Sequence, residues 1–326
     1  MNKLIILIAL LFINTALAVK RAPYQDGPVF IEWDQNHTLK IRQKMLEKIA
    51  KIGSKHVTMV LFGCQSTITS ADIRSCNFFN DDYLFETVGI ARKLGFQVTL
   101  LPILTTPNWD WRGLFKPKNV SEWFKNYRSW ITRLAMRSQE SGIIELVIAS
   151  EISGLYQYPK EWIALANHLR TYFSGNLIIT ANWDYYDFEF WPAVDAIGIS
   201  AYFPIAETLN PTYKEMLEKW ALHKKKLLAV SLKYNRPLHF TELGYESVSG
   251  AAKTPWAAPT TGAVDFAHQE ACFRAFAETW KNEKALLRTS VWATDDSEMN
   301  YDRSFEIMGK PAQKVLEEYF YYRNAL

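Results

Sequence analysis

Eight short, almost continuously apolar runs, separated by longer stretches of helical periodicity, restrict this chain more than any other feature. They are "VFIEW" (29–33), "HVTMVLFG" (56–63), "FQVTLLPIL" (96–104), "IELVIAS" (144–150), "LIITANW" (177–183), "AIGISAYF" (196–203), "PLHFTEL" (237–243) and "RTSVWAT" (288–294). A strand with one face in water alternates apolar and polar residues. Most of these runs do not, so they belong in a sheet covered on both faces. Segments 38–52, 81–94, 120–141, 159–173, 212–234, 265–282 and 310–326 carry apolar residues at helical spacing, and Asp81 and Ser121 stand where helix caps are expected. Such alternation predicts an α/β fold, a (β/α)8 TIM barrel in a single domain over 19–326. A doubly wound sheet binding a dinucleotide would show GxGxxG after an early strand, and none is present. No repeat or Pro/Gly/Ser linker divides the chain.

The opening "MNKLIILIALLFINTALAVKRAP" places Lys3 before an apolar stretch and ends on Ala16-Leu17-Ala18, a small-x-small pattern. It reads as a signal peptide over 1–18, cleaved near Ala18, with export to the periplasm or beyond. The apolar stretch falls short of the roughly 20 residues that span a bilayer, so stable membrane insertion is not expected. Export permits disulfides. Cys64 and Cys76, in "GCQSTITSADIRSC", are either paired or free, whereas Cys272 reads as a buried helical thiol. The absence of CxxC, HExxH and clustered histidines argues against a metal, and no organic cofactor is expected. A net charge of +3 is too small to suggest nucleic acid. Twelve tryptophans are more suggestive, because an exported protein uses flat apolar rings against sugars as well as in its core.

Two of the runs end on acids. "IIELVIASEISG" delivers Glu151 and "PLHFTELG" delivers Glu242, each with a glycine shortly after. The two lie 91 positions apart, close to three βα units of roughly 31 residues each. On that count they close the fourth and seventh barrel strands and face one mouth. Either they are separate strand-end acids, or they form a reaction centre. Cleaving a glycosidic bond requires one carboxylic acid to protonate the departing oxygen and one carboxylate at the anomeric carbon, held in different protonation states.

Several segments then carry a resemblance. "LIITANWDYY", "FWPAVDAIGISAYFPI", "HFTELGYES" and "SFEIMGKPAQKVLEEYF", together with the Glu151 segment, resemble the β-mannanases of glycoside hydrolase family 113, within the clan of retaining (β/α)8 glycosidases. The resemblance implies Glu151 as acid/base, Glu242 as nucleophile and Tyr202 as a hydrogen-bond partner of that nucleophile. Asn182 and Trp183 would meet the sugar, and Trp292 would form the floor beneath it. Ser150 stands where the clan usually has an asparagine that binds the sugar 2-hydroxyl. The third run lacks the basic or His-containing ending the family leads one to expect, and "SVWATDD" is poorer in aromatics than the corresponding family motif. Trp33, and Trp109 and Trp111 in "TTPNWDWRG", are further candidate sugar platforms, with core shielding as the alternative reading. Trp256 is a candidate rim aromatic. The expectation is thus an exported, monomeric retaining hydrolase of β-linked hexose glycans, acting on an oligo- or polysaccharide of β-mannan type. A glycan-binding or scaffold barrel of the cell envelope, and a transglycosylase, are the competing readings.

Overall fold

The computed structural model describes residues 25–257, 262–295 and 301–326. The expected signal peptide lies outside the described residues. Eight parallel strands close into a barrel in the order β1 (Gly27–Ile31), β9 (Leu286–Asp295), β8 (Leu238–Leu243), β7 (Ala196–Ser200), β6 (Asn176–Asn182), β5 (Glu145–Ser150), β4 (Gln97–Thr105) and β2 (His56–Cys64). Pairing of β1 with β2 completes the ring. The strands are buried nearly end to end, as their unbroken apolar character requires. The two-residue strand β3 (Arg74–Ser75) adds antiparallel to the tip of β2, and Cys64 and Cys76 are joined there in a disulfide. Cys272 is free and buried.

Seven α-helices surround the barrel among the described residues: α1 (Leu39–Lys51), α2 (Asp81–Lys93), α3 (Val120–Glu140), α4 (Pro159–Leu169), α5 (Tyr213–Tyr234), α6 (Phe266–Trp280) and α7 (Pro311–Arg323). Two caps differ from expectation. Asn80 and Asn119, not Asp81 and Ser121, accept from the first-turn amides of α2 and α3, since an asparagine just upstream offers an equally good carbonyl. The β6–β7 connection has no α-helix, only a single 3-10 turn. There Phe188 and Phe190 pack against the Tyr156 ring, Trp191 packs against both, and the group covers the barrel in a helix's stead.

At the opposite end from the acids, the barrel interior holds a buried charge cluster. Glu145 Oε1 lies 2.9 Å from His239 Nδ1 and accepts from Arg288 Nη1 at 3.2 Å and Thr99 Oγ1 at 2.9 Å. Burial alone would raise Glu145, but Arg288 and His239 overcome it and hold the carboxyl well below its usual range. Glu145→Gln strands the Arg288 charge in a dry interior. It is expected to cost about 3 kcal/mol or more of unfolding free energy, read as a lower urea midpoint at unchanged slope.

Candidate active site

Each acid is aimed by an irregularity at the end of its strand. Between Val147 and Ala149 the β5–β6 register slips, and Glu151 follows β5 in the left-handed region at φ +53°. Its amide donates to Thr180 O at 3.0 Å. Tyr156 secures the turn by donating to the same carbonyl at 2.6 Å while accepting from Ile152 N. A left-handed non-glycine residue costs on the order of 1 kcal/mol and tends to sit at functional sites. A second slip, between Phe240 and Leu243 on β8, turns Glu242 inward.

The glycines after the two acids serve close approach. A Cβ on Gly154 would stand 2.3 Å from Phe115 O, in the segment that carries Arg112. One on Gly244 would stand 2.6 Å from Trp292 O and 2.8 Å from the Phe305 ring. Only glycine lets those neighbours close over the mouth.

The acids share one cation. Arg112 Nη2 lies 2.6 Å from Glu151 Oε2 and 3.5 Å from Glu242 Oε1, while Arg112 Nε donates to Ser150 O at 3.1 Å. Two oxygens on one nitrogen at those distances are at most about 6 Å apart. Tyr202 donates to Glu242 Oε2 at 3.1 Å. A cavity of about 520 Å³ opens on the pair, lined by Trp111, Arg112, Asn182, Trp183, Asp184, Tyr202, Trp256, Trp292 and Phe305 as well as both acids. Trp183 and Trp256 stack at 4.8 Å across its edge. A second cavity of about 510 Å³ adjoins on the Glu151 side; Trp111, Asn182 and Asp184 line both, and Ser153 and Tyr185 line the second alone.

Burial, then the Glu151 charge, push Glu242 up to about 8, against the opposing pull of Arg112 and Tyr202. Burial would lower Arg112, but the two carboxylates outweigh it, so the guanidinium stays charged. Burial and the same carboxylates raise Tyr202, which remains a donor. Two buried carboxylates beside one cation do not both carry charge easily, so Glu242 holds a proton near neutrality. Tyr202 favours leaving the charge on Glu242. The 2.6 Å contact of Arg112 favours charge on Glu151, so moving the proton onto Glu151 loosens that contact. A group that can protonate an oxygen therefore sits beside one that can attack a carbon.

Among the residues the sequence singled out, Asn182, Trp183, Tyr202, Trp292 and Trp111 line this cavity beside Glu151 and Glu242, and the candidate rim aromatic Trp256 joins them. Asn182 Nδ2 also donates to Ser153 Oγ at 3.1 Å. Ser150 sits elsewhere: its Oγ is buried with no protein partner, and it meets the site through its carbonyl on Arg112. Trp33 and Trp109 stand outside the cavity in a separate aromatic group. Arg112, Asp184 and Phe305 went unrecognised. Arg112 lies within "TTPNWDWRG", read for its tryptophans, and supplies from a loop the basic group missing at the end of the third strand.

The family model described as Glycoside Hydrolase Family 113 matches residues 31–310. A family 113 β-1,4-mannanase structure is similar with TM-score 0.80 at 22% identity, covering 92% of this chain and 99% of that one. A family 113 β-mannanase from Alicyclobacillus acidocaldarius, in complex with ManMIm, gives 0.82 at 21%, covering 92% and 97%. A β-glucuronidase from Ruminococcus gnavus matches at 0.63 and 14%, covering 92% of this chain and 50% of its own. No curated protein matches the chain.

Proposed function

Because the chain belongs to glycoside hydrolase family 113, and so is a glycoside hydrolase, we propose that it cleaves β-mannan-type polysaccharide with retention of configuration. The observation that carries this reading is the single Arg112 nitrogen in contact with both carboxylates. A bound of about 6 Å suits direct attack by one carboxylate, for which a separation of about 5–5.5 Å is usual; inverting enzymes hold their acids roughly 6.5–9.5 Å apart to admit a water. In the first step Glu242 bonds to the anomeric carbon as the bond to the leaving oxygen breaks, and Glu151 passes its proton to that oxygen. In the second, Glu151 takes a proton from water, whose oxygen displaces Glu242. Trp292 and Trp183 offer apolar faces to the sugar, and the adjoining cavity on the Glu151 side gives room for the sugars of the leaving group. The β-mannanase neighbours supply the sugar class. Export rests on the leader-like start, and intact-mass measurement of protein recovered from outside the cytoplasm should show a chain beginning after Ala18.

The deciding experiment is proton NMR of an aryl β-mannoside or mannooligosaccharide during cleavage. The β-anomer should appear first and mutarotate; the α-anomer appearing first would sink the retaining assignment. The pH profile follows from the pair. Above about 8 Glu242 gives up its proton, leaving none in the site to be passed to the leaving oxygen, so kcat/KM should fall on the alkaline side near that value. Arg112 pulls the pair's proton affinity down. Arg112→Met should therefore move the alkaline limb to higher pH, along with a loss of rate of about 10²-fold from misplaced acids; an unmoved limb would contradict the assigned coupling.

A further inference from the structure

Trp33 and Trp109 belong to a second surface at the barrel mouth. Phe62, buried near the end of β2, forms its base. Trp33 stacks on it with centroids 5.2 Å apart, Trp109 meets it edge-on at 5.7 Å, and Phe78 tilts against it at 5.9 Å. The rings of Phe78 and Trp109 are 5.5 Å apart, and those of Trp33 and Trp109 are 6.0 Å apart. Trp33, Phe78 and Trp109 are 41%, 50% and 55% exposed. Three large rings held side by side in water form a patch of the kind that marks a binding surface.

Local structure holds the rings in place. Phe78 stands two residues beyond the disulfide-bonded Cys76, and Phe79 N donates to Cys76 O at 3.1 Å. Trp109 has φ +56°, a conformation that few bulky residues adopt, and its amide donates to Thr106 O at 2.9 Å. Thr106 also donates from Oγ1 to Asp110 at 2.7 Å, which ties the loop across. The same loop, two residues on, presents Trp111 to the catalytic cavity.

We propose that this surface is a second carbohydrate site, taking sugar rings of the same polysaccharide that lie beyond those held in the cavity. The inference rests on the reading of the chain as a polysaccharide hydrolase. A pyranose ring presents an apolar C–H face to an aromatic ring and keeps its hydroxyls at the edge. Asp34 and Asn36, exposed just after Trp33 and hydrogen-bonded to each other at 2.9 Å, put polar groups beside that ring in the chain. Continuity with the cavity through the 106–112 loop selects the substrate polymer as the occupant.

Affinity electrophoresis of the mature chain, with Glu242→Ala present to prevent cleavage, tests this in gels containing soluble β-1,4-mannan or glucomannan. Phe78→Ala should weaken retention about tenfold, and Phe78→Tyr, which keeps the ring, should restore it. In the otherwise intact enzyme, Phe78→Ala should leave kcat/KM on an aryl β-mannoside within about twofold while raising KM on the polymer. Retention unchanged in Phe78→Ala, or no retention of the parent in either gel, overturns the site. So does Phe78-dependent sedimentation with phosphatidylglycerol vesicles, which would assign the rings to a membrane. A parent that is retained through Phe78 but cleaves neither the polymers nor the aryl glycoside defeats the proposed function and leaves the second site standing.

Discussion

Glu242→Ala is expected to lower turnover of an aryl β-mannoside by on the order of 10⁴-fold or more, because in the proposed mechanism it removes the atom that bonds to the anomeric carbon. That factor corresponds to about 5.5 kcal/mol of transition-state stabilisation. The variant should fold: it removes a buried carboxylate that burial and its neighbour Glu151 already disfavour in charged form. Added azide is the informative probe. With the carboxylate gone, the anion attacks the anomeric carbon from the vacated face while Glu151 still protonates the departing oxygen. The product is a glycosyl azide of α configuration, opposite to the substrate. A β-azide from this variant would mean that the two acids have been given each other's roles. Full activity without azide would remove Glu242 from the chemistry altogether.

Glu151→Ala should fail in a complementary way. For substrates whose leaving oxygen needs a proton, the rate should drop by about 10²–10⁴-fold. A dinitrophenyl glycoside leaves without help, so its first step should persist and the covalent adduct on Glu242 should accumulate, seen as a burst and as a mass increase on the protein. Azide then attacks the adduct from the Glu151 face, breaks the ester to Glu242 and yields the β-azide. The contrast in azide configuration between the two variants separates the roles of the two acids. Equal losses for good and poor leaving groups would exclude Glu151 as the acid.

Much of this was legible in one dimension. The barrel follows from eight apolar runs too continuous for a half-solvated sheet; six of the seven connections between barrel strands carry an α-helix, and α7 follows the last strand. The exception, between β6 and β7, was hidden because "DYYDFEFWPA" buries aromatic rings without helical spacing. The placement of Glu151 and Glu242 at one mouth follows from counting βα units, a repeat imposed by barrel geometry itself. Tyr202, Asn182, Trp183 and Trp292 came from the resemblance to family 113, whose motifs carry them on or just after barrel strands.

Loop residues were different. Trp109 and Trp111 were read as equals, yet one lies outside the cavity and the other lines it, because the left-handed turn at Trp109 and the 3-10 turn that follows Trp111 send neighbouring side chains different ways. Ser150 was expected to face sugar, but the bulge in β5 buries its hydroxyl and leaves its carbonyl for Arg112.

By itself, the amino-acid order determined what depends on period and strand position: the barrel, its direction, and the two acids at its mouth. Only the folded chain decided which cation those acids share. Arg112 is 130 positions from Glu242 and sits on a loop with no periodicity. It reaches the acids because Gly154 lets two loops pack without a side chain between them. Contacts of that kind arise from the closure of irregular segments across the barrel, and no repeating pattern in the sequence encodes where such segments end.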